Sequence, residues 1–445
     1  MTYATAMERL AELGHELGVS ASRKFSLDQM RALASALGHP ERRFASVLVA
    51  GTNGKGSTAA TLAAILQAAG YHTGLYTSPH LVRVNERIRV DGETISDSEF
   101  AEMYGRVEQV AAHLEAGGEL PQHPSFFETV TTMAFEYFAS VGVHIAVLEV
   151  GMGGRLDATN IVEPCLAVIT DIALDHQKFL GNTIAEIARE KAGIIRPNGV
   201  VITLPQHPQA NDVIGAVALQ RNARAVSAVP YVPPVSPNAA AGLIGARSPY
   251  RLAVLDREIL VDSPLVGRHQ LRNIALAIAS AVEIGQYGFP VSADAIERGI
   301  RATRWPGRFQ VLRPRPAGPA YVLDVAHNPA GAWALRAALS EVFDGRELIV
   351  VFGAMRDKAV GEMAEILFPL ASRVVLTQAA GHYPRAASPE ELRAAAVRTG
   401  AEIVTAANVP AALHKAQALA ASDSVIVVTG SIYIVGEAME ALECA

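Results

Sequence analysis

Cysteine is almost missing from this 445-residue chain: only Cys165 and Cys444 occur, and neither stands in a CxxC or Cys/His cluster. Two thiols so placed build neither a disulfide framework nor a structural zinc site, so both read as packing or terminal residues. No segment offers about 18 consecutive apolar residues, so no bilayer span is expected. Long runs of one charge are lacking too. With 38 basic against 44 acidic residues the formal charge is −6, which leaves no basic platform for a nucleic-acid backbone, and any phosphate must be held locally. Met1 to Gly18 alternates apolar and charged positions as a surface helix does, and lacks the basic start and unbroken apolar stretch of a signal peptide. With 50% apolar and 18% charged residues, 36 glycines and 24 prolines, the chain is neither disordered nor low-complexity. Its length fits two or three domains. A cytoplasmic enzyme or binding protein is expected, with no nucleic-acid or membrane partner.

What is present is a rhythm. Two short amphipathic segments lead to about Leu37, followed by an apolar run Ser46–Ala50, the loop Gly51-Thr-Asn-Gly-Lys-Gly-Ser57, and a helical pattern. Leu62, Ile65, Leu66 and Ala69 recur at helical spacing and Gly70 closes the segment. Short runs at Thr73–Thr77, Ile145–Val150, Leu166–Ile172 and Val200–Leu204 alternate with helical patterns such as Phe126–Phe138. The expected fold is therefore α/β, a mostly parallel doubly wound sheet. The stretch between Ala228 and Pro249 turns to Pro, Ala and Ser. Arg251–Leu255 and Glu258–Val261 then alternate around Asp256-Arg257 like a hairpin, a small antiparallel appendage. A helix from about Gln270 to Ile284 returns to the main body, and Arg301–Phe309 (RATRWPGRF) looks like a domain junction. Beyond it, Tyr321–Val325, Leu348–Phe352, Val374–Thr377 and Val425–Thr429 mark a second, smaller α/β unit. The expected division is 1–304 and 305–445.

The glycine-rich loop is the most specific chemical signal. Glycines free backbone N–H groups, a helix starts there, and one lysine completes a polyphosphate cradle. Its match to the common phosphate loop is imperfect: the first glycine of that pattern would fall at Val49, and Gly56 is inserted before Ser57. Glu149 lies in a strand whose neighbours are apolar on both faces, where an ionised carboxylate needs a partner or a metal. The Gly151-Met-Gly-Gly154 that follows has the wrong spacing for a dinucleotide fingerprint. Asp175-His176 follows another strand; it reads either as a turn cap or, with Ser57 and Glu149, as the surroundings of a Mg²⁺ that bridges nucleotide phosphates. Thr183-Ile-Ala-Glu186 is a capping box, and in its helix Lys191 shares the apolar face with Ile184, Ile187 and Ala188. Such a lysine either snorkels to solvent past Gly193 or needs a partner or a chemical modification. Asp324, His327 and Asn328 (DVAHNP) present polar groups at a strand end of the second unit. If that edge faces the phosphate loop, the two units sandwich a nucleotide and a second substrate.

Nine ordered segments together resemble the Mur ligase superfamily, and within it the folylpolyglutamate synthase and dihydrofolate synthase family. They are GTNGKGS (51–57), TSPHLVRVNERIRV (77–90), EVGMGGRLDATN (149–160), DH with LG nearby (175–181), REKAGI (189–194), GRHQLRNIALAI (267–278), WPGRF (305–309), DVAHNP (324–329) and GSIY (430–433). The resemblance implies a two-domain Mur-ligase-like architecture: a phosphate-loop sheet with a small appendage, and a Rossmann-like C-terminal glutamate-ligase domain. It further implies ATP-dependent ligation of L-glutamate to dihydropteroate and to reduced folates through an acyl phosphate, by a monomer. Such chemistry needs charge neutralisation and in-line positioning.

By similarity, Asn53, Gly54, Lys55, Gly56, Ser57, Asn273, Arg308 and Asp324 contact ATP, and Ser57, Ser78, Glu149 and His176 surround Mg²⁺, two ions being expected. Lys191 is the position expected to be carbamylated, which turns a buried cation into a metal-binding anion. Lys191, Lys55 and His327 carry catalysis, His327 and Ser431 lie around the glutamate, and Ser125, Phe127, Asp157 and Ala158 line the pteroate site. Phe127 can stack on a pterin or belong to the core. Gln177 departs from the threonine more usual after the Asp-His pair. The rival readings are an enzyme that only extends glutamate tails, a cell-wall Mur ligase, and a phosphate-loop regulator or kinase. Only about 45 residues precede the loop, too few for the extra N-terminal domain the second of these carries.

Overall fold

The computed structural model describes residues 1–14, 26–234, 249–313, 318–380 and 385–443. Sixteen strands among them form two large sheets and one hairpin. The first sheet holds β1 (Ala45–Ala50), β2 (Thr73–Tyr76), β3 (Ile88–Val90), β4 (Glu93–Thr94), β5 (Ile145–Glu149), β6 (Leu166–Ile169), β7 (Val200–Thr203) and β8 (Arg224–Ser227). Their order is β4-β3-β2-β5-β1-β6-β7-β8. From β2 to β8 neighbours run parallel, and β3 and β4 add an antiparallel edge. Central strands are buried along their length because helices cover both faces, which is why they read as unbroken apolar runs. On one face Phe100, Phe135 and Phe138 pack over Leu48 and Leu148; on the other Leu62, Ile274 and Ile296 pack over Val47 and Val147.

The hairpin pairs β9 (Tyr250–Val254) with β10 (Arg257–Val261). Its turn residues are Leu255 and Asp256, both left-handed at φ 50° and 59°, one position earlier than the sequence pattern places them. That is the backbone of a two-residue type I′ connection. The second sheet holds β11 (Gln310–Leu312), β12 (Ala320–Leu323), β13 (Leu348–Phe352), β14 (Arg373–Leu376), β15 (Ile403–Thr405) and β16 (Val425–Thr429). Their order is β11-β12-β16-β13-β14-β15, parallel except for β11. Cys165 is partly buried against the first core. Cys444, the end of the expected helix Met1–Gly18 and most of the Pro/Ala/Ser stretch lie outside the described residues. Among the described residues no helix is long and apolar enough to cross a membrane.

Parallel pairing fixes the site. Val49 is in register with Glu149 on one side and Val168 on the other, so the glycine-rich loop, Glu149 and the segment Asp171–His176 leave the sheet at one edge. Ligands of open α/β sheets collect at that edge.

Candidate active site

A cavity of about 820 Å³ lies between this edge and the strand ends of the second sheet, lined from both. Its floor is the first turn of the helix Lys55–Ala68, whose N-cap is Gly54 at φ 88°. A Cβ at Gly54 would lie 2.2 Å from Asn273 Oδ1, so only glycine permits both the left-handed backbone and this contact. Gly56, the residue that spoils the usual motif, has its own reason: a Cβ there would stand 2.6 Å from Trp305 Cζ2. The insertion accommodates a tryptophan from the segment that leads into the second sheet. The first-turn N–H groups of such a helix point out without intrahelical partners, ready for an anion. Lys55 Nζ donates to Thr52 O at 3.2 Å and stands 4.0 Å from Glu149 Oε1. Ser57 is buried beside them.

Glu149 accepts the Ser78 N–H at 3.2 Å. Burial raises its pKa, opposed by Lys55, the Ser78 N–H, Arg308 and Arg87. Oxygen donors from Glu149, Ser57 and Ser78 line the cavity together, a set suited to a hard cation. Among the described residues no three His, Cys, Asp or Glu side chains gather into a protein-only metal cage. The set therefore fits an ion that takes further ligands from phosphate and water, as Mg²⁺ does. His176 lines the same cavity in a left-handed conformation, φ 50°. Its pKa falls to about 3, first through burial and then through Lys358, His327 and Lys55, with Asp175 opposing.

Lys191 does not snorkel. The capping box at Thr183 and Glu186 forms, and the lysine is 4% exposed with Nζ donating to Gly51 O at 2.7 Å. Burial and Lys55 bring its pKa down to about 7. It faces the phosphate loop from behind, in contact with the cavity.

On the opposite wall, Asp324 accepts N–H bonds from Phe309 and Ala326, both at 2.9 Å, so each of its oxygens already has a backbone partner. His327 Nδ1 is 2.9 Å from Val325 O, which makes it the protonated nitrogen in that bond, and Nε2 is 3.4 Å from Asp175 Oδ2. Asn328 caps the helix Pro329–Val342 through Gly331 and exchanges amide hydrogen bonds with Asn53, at 3.0 and 3.3 Å. Lys358, which the sequence pattern does not single out, lies 2.6 Å from Asp175. Burial works against the Asp175 carboxylate, yet His327, His176 and Lys358 together hold its pKa well below the usual range. Ser431 is buried just before the last helix, and Arg308 is half-buried near Asp324 and Glu149; both line the cavity.

At the far end, Phe127 is half-buried and faces the cavity, its ring tilted at 6.2 Å from Tyr76. Ala158 lines the cavity beside it. Ser125 and Asp157 also reach the wall, but their polar atoms work locally. Ser125 is the N-cap of the helix Phe126–Ser140 in a capping box with Glu128. Asp157 accepts from the N–H groups of Met152 and Thr159 and from the Thr159 hydroxyl at 2.6 Å, tying down the GMGG loop.

A phosphate-binding sheet edge closed by a second α/β unit across one cavity is the plan of a Mur-type ligase. Residues 49–281 match the Mur ligase middle domain and residues 307–432 the Mur ligase, glutamate ligase domain. The chain belongs, within that class, to the folylpolyglutamate synthase/dihydrofolate synthase family. It is 35% identical over 423 residues to the dihydrofolate synthase/folylpolyglutamate synthase of Bacillus subtilis, covering 94% of this chain and 95% of the relative. It is 39% identical over 420 residues to a probable bifunctional folylpolyglutamate synthase/dihydropteroate synthase of Haloferax volcanii, covering 92% of this chain but 48% of that longer protein. The structure of Escherichia coli FolC in complex with DHPP and ADP superposes with a TM-score of 0.84 at 30% identity, over 100% of this chain and 98% of that one.

Proposed function

We propose that the protein joins L-glutamate to dihydropteroate and to reduced folates at the expense of ATP, acting as a monomer whose working units divide at 304/305. The observation that carries this reading is the facing of two strand edges across one cavity, Lys55 and Glu149 on one wall and His327 and Ser431 on the other. In the first step an acceptor carboxylate oxygen attacks the γ-phosphorus and ADP leaves, giving an acyl phosphate. In the second, the unprotonated amine of glutamate attacks the acyl carbon, the C–O bond to phosphate breaks so that phosphate departs, and the new amide nitrogen gives up one proton. Lys55 and the amides from Asn53 to Ser57 hold the phosphates, with Asn273, Arg308 and Asp324 around the nucleotide. Ser57, Ser78, Glu149 and His176 would hold Mg²⁺, two ions in all, which when bound supplies charge neutralisation. His327 orients the incoming glutamate with Ser431. Phe127 and Ala158 face the pterin, with Ser125 and Asp157 shaping that wall.

Lys191 is proposed to carry a carbamate: its free amine adds to CO₂, an N–C bond forms and one proton leaves. The depressed pKa supports this, because free amine is then abundant near neutrality.

Purified protein with ATP, Mg²⁺ and L-glutamate is offered 7,8-dihydropteroate or a reduced folate, and phosphate release and product mass are read. Both acceptors should react. Release with the reduced folate alone reduces the protein to tail extension, and release with neither ends the reading.

A further inference from the structure

Trp305 lies in the segment that joins the two sheets, packs against the core of the first and stands beside the phosphate-loop helix. Gly56, in the first turn of the phosphate-loop helix, approaches its ring so closely that a Cβ there would stand 2.6 Å from Cζ2 and 3.1 Å from Nε1. The Arg308 guanidinium lies 5.9 Å from the ring centroid and the Arg89 guanidinium 5.4 Å. The indole Nε1 is buried without a hydrogen-bond partner among the described residues. The ring is therefore held by its surfaces and edges, not by its N–H.

The nearby Asp324 and Glu149 carboxylates attract the Arg308 guanidinium, but among the described residues neither fixes it through a hydrogen bond. Its guanidinium donates from Nη1 to Gly307 O at 3.2 Å, and each Asp324 oxygen already accepts one backbone N–H, from Phe309 and Ala326. Two cations near one indole repel each other, and the electron-rich ring compensates both. Resting on the Proposed function above, we propose that Trp305 is a positioning residue for phosphoryl transfer: wedged against Gly56, it aims Arg308 at the phosphate side of the cavity and shifts when that side fills. Its class of ligand response is to a nucleoside triphosphate, not to the acceptor or to glutamate.

The chain has two tryptophans, and Trp333 is 58% exposed on the helix Pro329–Val342, so Trp333→Phe leaves Trp305 as the sole emitter. AMPPCP with Mg²⁺ is titrated into this variant by fluorescence and into the unaltered protein by calorimetry. Trp305 emission should change with the calorimetric midpoint. Trp305→Leu should weaken AMPPCP roughly tenfold and raise KM for ATP to match, while Trp305→Phe, which keeps an aromatic face, should stay within about twofold. KM for acceptor and glutamate should not move, whereas a merely unstable variant would lose active fraction without changing any KM. Unchanged emission on saturation, or unchanged AMPPCP affinity in Trp305→Leu, overturns the inference alone. If the unaltered protein binds no AMPPCP, the ligase reading falls and this inference with it. Should Trp305→Leu fail to fold, the emission of Trp333→Phe decides.

Discussion

Asp175 Oδ1 and Lys358 Nζ meet at 2.6 Å across the two sheets, each side chain less than a tenth exposed. The loop after β6 and the loop after β13 are thereby joined at the mouth of the cavity. Removing one member of such a buried pair leaves the other charge stranded, whereas removing both does not. Lys358→Met is therefore expected to cost about 3 kcal/mol or more of stability. Calorimetric melting of Lys358→Met, Asp175→Asn and the double variant checks this: the double should melt above the sum of the singles, and simple additivity would mean the pair is not coupled.

Lys191 sets an alkaline trend. Its pKa is about 7 in the fold against an ordinary 10.5, so between these values the unfolded chain holds a proton that the native one lacks. Stability from this group then rises with pH across that window, and the full penalty of burying the charge is present below it. In CO₂-free buffer, urea unfolding of the unaltered protein should gain on Lys191→Met as pH rises from about 7. With ¹³C-bicarbonate, a carbamate resonance should already be present just above neutrality, where the native amine is free, and be missing from Lys191→Met. A signal of equal size in both would remove Lys191 as its source.

His176 works at the acid side. The native imidazole titrates near 3 against an ordinary 6.5, so the unfolded chain again binds the extra proton and stability falls as pH drops through this interval. Asp175, held below its ordinary 3.8, contributes stability that is lost only under that value. The loss between 6.5 and 3.8 should therefore shrink in His176→Gln. Parallel unfolding curves for the two proteins would count against it.

Asp157→Ala removes the acceptor for two backbone N–H groups and one hydroxyl. A cost of about 1–3 kcal/mol is expected from the donors left behind. Both ligation reactions should then decline together on warming, as the GMGG loop loosens. A selective loss with dihydropteroate at unchanged melting temperature would instead mark Asp157 as a pterin contact.

Much of this was legible beforehand, for identifiable reasons. Buried parallel strands such as Val425–Thr429 are apolar on both faces and stand out as runs. β8 escaped because Arg224–Ser227 is mostly exposed at the sheet edge and carries no such run. The hairpin turn slipped by one position because Leu255, an unusual residue for positive φ, occupies it. Lys191 was visible from helical spacing. Lys358 was not, because nothing local in Asp357-Lys358-Ala359 distinguishes a surface lysine from one that closes on Asp175. Ser125 and Asp157 line the cavity and also make local caps; a helix cap and a ligand contact use the same residue types, so the sequence alone shows only one of the two roles at a time.

The position of β16 has a bearing on how the enzyme is made. Last of the sixteen strands to be synthesised, it lies not at an edge but between β12 and β13, in the middle of its sheet. The first sheet can assemble once residue 227 has left the ribosome, while the second must wait for residue 429. Until then β12 and β13 have open flanks, which are sticky for other chains. A nascent chain therefore acquires its nucleotide floor early and its roof late, and Gly430 and Ser431, on the heels of that strand, reach the cavity only when the second sheet closes.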